Sequence, residues 1–281
     1  MEIIRNRNFD EERALYGAKD LKVTHCTFDG PADGESALKE ADGIVVEDCT
    51  FRLRYPFWHT RDFVLRRSTL EDTCRAPLWY SENGVIEDCT VTGVKCLREC
   101  GGMTLTRMTV KSEEFGWRCR NLSIEECDME AVYFLFECRD VNVKKLTMRG
   151  KYSFQYVENL TIEDSVLDTK DAFWHAKNVT VKNSVVKGEY LGWYSENLTL
   201  INCKISGTQP FCYCRNLTLI DCETEGCDLA FERSSVQAEI RGHIDSVKNP
   251  VSGRITADSI GEIIMDLPSD CVTEIRARVN G

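Results

Sequence analysis

Six ionisable or phenolic side chains recur along this chain at one interval: Glu99, Arg118, Glu137, Tyr156, His175 and Tyr194, each 19 residues after the one before. Tyr213 continues the series, and His59 and Tyr80 hold the same place nearer the N-terminus. If successive members sit on neighbouring strands ~4.8 Å apart, Glu99 and Glu137 are separated by roughly 9–10 Å at the backbone. Side-chain rotation then brings the two carboxyls into the ~6.5–9.5 Å range of an inverting glycosidase pair. In that arrangement one glutamate is the general acid and the other activates water. Arg118 steadies an anionic sugar, and Tyr156 and His175 hold it in place. The expected catalytic residues are therefore Glu99, Glu137 and His175, and the expected substrate contacts are Arg118, Tyr156, Tyr194, Tyr213, Trp174 and Trp193. A plainer reading of the column is an ion-paired ladder with no ligand.

The interval belongs to a repeated phrase: NLTIEDSVLDTKDAFWHAK, NVTVKNSVVKGEYLGWYSE, NLTLINCKISGTQPFCYCR, NLTLIDCETEGCDLAFERS. Its leading turn residue is Asn83, Gly102, Asn121, Asp140, Asn159, Asn178, Asn197 and Asn216, and the register runs back through Asp62, Gly43 and Asp20. A fixed period of this kind means a solenoid, in which each coil buries its apolar face only by stacking on its neighbours. Apolar residues alternate one and three after the turn (Leu160 and Ile162, Leu198 and Leu200) and again six and eight after it (Cys127 and Met129, Cys203 and Ile205). Period two argues strand. Charged pairs such as Glu47-Asp48 and Glu87-Asp88 mark an exposed corner between the two strands. Glycines ten after the turn (Gly93, Gly150, Gly188, Gly207, Gly226) mark a second corner where a left-handed residue is easily accommodated. The turn asparagines tolerate a left-handed backbone, and stacked amides bond one another. That position also accounts for the glycosylation-like tripeptides at Asn121, Asn159, Asn178, Asn197 and Asn216.

The third strand carries all five tryptophans, Trp58, Trp79, Trp117, Trp174 and Trp193, fifteen after the turn once the insertion before Asn83 is allowed for. Strand parity places them on the inward face with the small residues two later (Cys100, Cys119, Cys138, Ala176, Ser195), and places the His, Tyr, Glu and Arg column outward; the alternative is the reverse parity, with the tryptophans outward. Arg98 then falls between Trp79 and Trp117, where stacking on both indoles accommodates it.

Fifteen cysteines follow the phrase rather than any metal spacing. Cys26, Cys49, Cys89, Cys127, Cys203 and Cys222 share one position with Ser68, Ser165 and Ser184, so reduced thiols stacked inside the coil are expected. No CxxC pair occurs, and no metal or cofactor is expected. Four histidines, His25, His59, His175 and His243, are scattered, and no Ser-His-Asp or Cys-His array can be assembled from them. The formal net charge of −11 disfavours a phosphate-backbone partner, so no nucleic acid is expected. No apolar run reaches membrane-spanning length and the first residues are charged, which reads as a cytoplasmic protein without a membrane anchor.

The stretches DAFWHAKNVTVKNSVVKGEYLGWYSENLTLINC (Asp171 to Cys203) and DSVKNPVSGRITADSIGEII (Asp245 to Ile264) resemble an uncharacterised bacterial family within the pectin-lyase-like right-handed parallel β-helix superfamily. The resemblance covers nearly the whole chain. It implies the fold and the right-handed coil; characterised members of the wider superfamily cleave pectin or other acidic polysaccharides, a likeness of architecture only. The N-T-D segment and D-D pair of polygalacturonase-like enzymes are absent. Arg66-Arg67 alternates with the acidic corner pairs, which opposes a calcium site of the pectate-lyase kind.

The sequence thus predicts an all-β, single-domain parallel β-helix of about eleven or twelve 19-residue rungs. Residues 1–19 form an N-terminal cap, with Phe9 to Ala18 as a short amphipathic segment; residues 20–234 are the repeats; residues 235–281 are irregular coils or a closing sheet. The expected function is binding or processing of carbohydrate in a groove along the third strand, and if catalytic, glycoside hydrolase or polysaccharide lyase-like. The alternative is a non-catalytic scaffold for protein interaction.

Overall fold

The structure is a computed structural model describing residues 1–30, 35–267 and 271–278. Among these residues the chain is an all-β parallel solenoid of about 14 turns. It has no α-helix, and its helical structure is one 3-10 turn, Asp72–Cys74. No helix among the described residues is long and apolar enough to cross a membrane. Two compact units divide the chain, Met1–Asn142 and Val143–Gly281.

In Met1–Asn142 the phrase sets the register. Val85 pairs with Thr104 and Leu105 with Ile124, one phrase apart, in parallel. Leu122 and Ile124, then Cys127 and Met129, point into the core, as the alternation requires. Between the two strands the chain turns at a left-handed residue, with φ +54° at Asp48, +51° at Arg107 and +55° at Glu126. Arginines and aspartates at that corner pair across coils, Arg67 with Asp48 at 2.8 Å and Arg107 with Asp88 at 2.6 Å. Residues before Asp20 add a coil: Glu2–Arg5 pairs with Leu21–Thr24, and Phe9 stacks on Phe28 at 4.9 Å. Of the stretch from Phe9 to Ala18, expected as an amphipathic cap, Phe9 ends the short strand Asn8–Phe9 and residues 11–17 run as turns bonded to the next coil, with Leu15 N–H donating to Ala37 O. This added coil, with shortened coils near the C-terminus, brings the count above the expected eleven or twelve.

The cysteine position has a polar reason as well as an apolar one. At the cysteine position the backbone N–H bonds a side chain, not a carbonyl, of the adjacent coil. Cys26 N–H donates to Cys49 Sγ at 3.4 Å, Cys49 N–H to Ser68 Oγ at 3.0 Å, and Ser68 N–H to Cys89 Sγ at 3.4 Å. Each thiol or hydroxyl in turn donates to a carbonyl two residues back, as Ser68 Oγ does to Arg66 O at 2.8 Å. Serine and cysteine alternate there because either both donates and accepts while filling little space. All fifteen cysteines are free thiols, and every one except half-buried Cys271 is buried.

In Val143–Gly281 the same coil recurs, with Leu160 on Val179 and Val179 on Leu198. The turn amides form the expected ladder: Asn178 Nδ2 donates to Asn159, Asn197 to Asn178 and Asn216 to Asn197, at 2.8–3.0 Å. The glycine column has two causes: Gly226 is left-handed at φ +62°, as expected, whereas Gly188 is selected by close packing. Gly188 is not left-handed; a Cβ there would sit 2.6 Å from Thr169 O. Close approach of neighbouring backbones selects glycine at that place. Toward the C-terminus the period shortens: Val236 pairs with Gly253, 17 residues on, and His243 with Ser259, 16 on.

The third segment of the coil breaks the parity rule: it is strand at Lys95–Arg98 and in Thr109–Trp117 and Asp128–Phe136, but bends and turns at 154–156, 172–175 and 191–194, where a strand was expected. Leu97, Leu135, Phe154 and Phe173, one step before the tryptophan position, are left-handed and buried. Glu99, Arg118, Tyr156 and His175, one step after it, are left-handed and at least half-exposed. Two bends within three residues destroy the alternation of a flat strand. The outward column is where parity put it, but the tryptophans are half-buried on a shoulder, and phenylalanine and leucine fill the core in their place.

Candidate functional site

In Met1–Asn142 the exposed corner begins as a stack of rings and then stops. His59 lies on Tyr80 with centroids 5.1 Å apart and planes 12° apart, and behind them Trp58 lies on Trp79 at 5.9 Å. On the next coil neither position carries a ring. Arg98 replaces the indole, its Cζ 6.0 Å from the Trp79 ring and 5.3 Å from Trp117, as expected from the sequence. Glu114 anchors that guanidinium at 2.5 Å. Glu99 replaces the outer ring, so the far face of Tyr80 meets a carboxylate-bearing coil instead of another aromatic group. One coil further, Arg118 Nε donates to Glu137 Oε2 at 2.6 Å, and this bond raises the Arg118 pKa above the usual guanidinium value.

A second column, the residue before each turn, runs beside the first: Arg61, Glu82, Gly101 and Arg120, paired in register. Gly101 leaves that coil without a side chain. Arg120 reaches across the gap, and its Nη2 donates to Glu82 Oε1 at 2.6 Å. A Cβ on Gly101 would press on Glu82 Oε2 and lie 3.0 Å from Arg120 Cζ. The missing ring and the missing side chain together open a cleft of about 470 Å³, lined by His59, Arg61, Tyr80, Glu82, Glu99, Arg118 and Arg120. Two of its three guanidiniums hold carboxylates; Arg61 and Glu99 make no side-chain ion pair among the described residues. The cleft offers one ring face, one unpaired cation and one unpaired carboxylate.

The expected site residues fall into two groups. Glu99 and Arg118 line this cleft, with Glu137 beside it through Arg118. His175, Tyr156, Tyr194, Tyr213, Trp174 and Trp193 belong to Val143–Gly281 and form ladders of their own. Tyr156, His175, Tyr194 and Tyr213 stack at 4.9, 5.0 and 4.8 Å with planes 6–11° apart. His175 and Tyr194 are covered on both faces, so they present ring edges to solvent rather than platforms. Trp174 and Trp193 stack at 5.5 Å, and their indole N–H groups donate to Tyr190 O at 2.7 Å and Gln209 O at 2.8 Å.

Arg61, Glu82, Gly101 and Arg120 were not singled out from the sequence, although each stands directly before a turn residue. A Ser-His-Asp array, expected to be absent, is present. His243 Nδ1 lies 2.9 Å from Ser259 Oγ, and His243 Nε2 lies 3.4 Å from Asp245 Oδ1. Among the described residues no group of three or more His, Cys, Asp and Glu side chains is placed to hold a metal.

The profile of a family described as "Protein of unknown function (DUF3737)" matches residues 2–276. No curated protein matches the chain. Among solved structures, the A-module of the mannuronan C-5 epimerase AlgE4 of Azotobacter vinelandii is similar, at 11% identity and TM-score 0.43, over 98% of this chain and 100% of that one. PfbA, a surface adhesin of Streptococcus pneumoniae, is similar at 10% identity and TM-score 0.40, over 85% of this chain and 73% of that one. The catalytic domain of a GH87 alpha-1,3-glucanase is similar at 9% identity and TM-score 0.30, over 99% of this chain and 64% of that one. None of these three bears on activity.

Proposed function

We propose a saccharide-binding role for this chain, which belongs to the family described as Protein of unknown function (DUF3737). The ligand is an oligosaccharide carrying a carboxylate, and it lies in the cleft of Met1–Asn142. The observation that carries this reading is the interruption of the ring stack at Glu99, which exposes a face of Tyr80 beside the unpaired Arg61. The apolar face of a pyranose stacks on such a ring. A guanidinium grips a carboxylate through two parallel hydrogen bonds, and Glu99 accepts from sugar hydroxyls. The volume lies within the range of small-ligand sites, about 300–1,000 Å³.

Binding fits this geometry better than hydrolysis. An inverting pair needs a second carboxyl free to act on water, whereas Glu137 is engaged by Arg118 and Glu82 by Arg120. Fourteen buried free thiols support a reducing compartment, which favours a soluble oligosaccharide over an extracellular polymer. The edge-on ladder with Tyr156 and Tyr194, 49% and 47% exposed, favours a second role as a protein-contact strip. A glycan array of acidic and neutral oligosaccharides tests the main reading. Wild type should bind acidic members, and Tyr80→Ala and Arg61→Gln should each lose them while melting as wild type does. Equal binding by all three proteins would place the ligand elsewhere.

A further inference from the structure

We infer that Ser259, His243 and Asp245 form a nucleophilic serine site that takes acyl groups from carboxylic esters. The site is independent of the cleft. It sits on two parallel strands, His243–Lys248 and Ser259–Ile264, in which His243 and Ser259 are register partners. Asp245 is two residues beyond His243 and therefore on the same face of the strand. The imidazole spans both neighbours, with Nδ1 2.9 Å from Ser259 Oγ and Nε2 3.4 Å from Asp245 Oδ1. The tautomer that satisfies both contacts carries its proton on Nε2, facing the carboxylate, and leaves the Nδ1 lone pair to accept from the serine hydroxyl.

The backbone around this array is held from several sides. Thr224 Oγ1 donates to His243 O at 2.7 Å. Ser259 N–H donates to Gly242 O at 3.1 Å, and Gly242 N–H donates to Asp258 Oδ2 at 2.6 Å. Arg278 Nη1 holds the other oxygen of Asp258 at 2.6 Å. Gly261, two residues after Ser259, packs closely on the neighbouring strand, where a Cβ would press on the backbone carbonyl of Asp245. Ser259 N–H bonds toward the His243–Lys248 strand, so the N–H of Ile260 points away from that strand.

The chemistry balances without a further reagent. Ser259 Oγ attacks the ester carbonyl carbon as its proton passes to His243 Nδ1. Asp245 stabilises the imidazolium and holds the ring in place, as a positioning residue. Collapse breaks the bond to the alcohol oxygen, and the alcohol leaves with the proton from Nδ1. Water then enters by the reverse route, releasing the carboxylic acid and restoring the hydroxyl. His243 and Asp245 are 53% and 44% exposed, so turnover is expected to be slow and the acyl-serine is the species to seek.

A fluorophosphonate probe, which loses fluoride as a serine–phosphorus bond forms, reads the nucleophile directly on the full chain. Mass mapping should find one adduct, on Ser259, absent from Ser259→Ala. Labelling should slow about 10²-fold or more in His243→Ala. Asp245→Ala should also label slowly, and Asp245→Glu should recover part of the rate, with unchanged melting temperatures throughout. An adduct on another serine, no adduct at all, or the same rate in His243→Ala would overturn the assignment.

Discussion

Arg120 donates to Glu82 across two coils, over a Gly101 that contributes no side chain between them, at 2.6 Å. The ion pair forms one wall of the cleft, and the glycine keeps the space in front of it open. Gly101 is not left-handed, so a β-branched residue suits its backbone. Gly101→Val should displace the pair at a cost of about 1 kcal/mol or less, since exposed ion pairs contribute little. Saccharide affinity should fall at least about tenfold, the share of one good contact. Chemical denaturation and titration of the two proteins side by side check both halves of this expectation.

The thiol arrangement gives a count. With fourteen cysteines buried and Cys271 half-buried, a thiol reagent should find one group in the native protein and fifteen after denaturation. Rapid native reaction of more than two or three would contradict the stacked interior.

The same thiols set an alkaline limit. Burial pushes Cys127 and Cys214 up to about 11, and Cys49, Cys212 and Cys227 up to about 12, against an ordinary value of 9.0. Between these values the native state keeps protons that the unfolded chain has lost. Stability is therefore fully present below pH 9 and falls as pH rises toward 11 and 12, by at most about 1.4 kcal/mol per pH unit for each such thiol. The urea midpoint should decline steadily from pH 8.5 to 10.5. A flat profile would contradict the shifts.

Trp193 and Tyr194 are neighbours with different duties. Trp193 is half-buried, stacked on Trp174 and bonded to Gln209 O, so Trp193→Ala should cost about 2–3 kcal/mol. Tyr194, 47% exposed, should cost about 1 kcal/mol or less on change to Ala. Equal losses in thermal or urea unfolding would place both rings in the same environment.

Much of this architecture was legible because the phrase repeats. The turn asparagines, the alternation at Leu122 and Ile124, the inward thiols and Arg98 between two indoles all follow from stacking like on like. The tryptophan face was not legible, because Phe173 and His175 both adopt left-handed bends around Trp174 and period two assumes none. The cleft was hidden for another reason. It is made by what Glu99 and Gly101 lack relative to their column neighbours, and an absence shows only once the coils are aligned. The Ser259–His243 contact spans 16 residues, outside the 19-residue period of the phrase.

The central claim, a saccharide in the cleft beside Tyr80, is tested most directly by the histidine ring signals in a ¹H–¹³C spectrum during titration with an acidic oligosaccharide. His59 lines the cleft, whereas His25, His175 and His243 do not. The His59 signals should move in a saturable way, with the other three histidines unmoved and the effect abolished in Tyr80→Ala. Movement of His175 with His59 still, or no movement of any histidine with a ligand shown to bind, would contradict it.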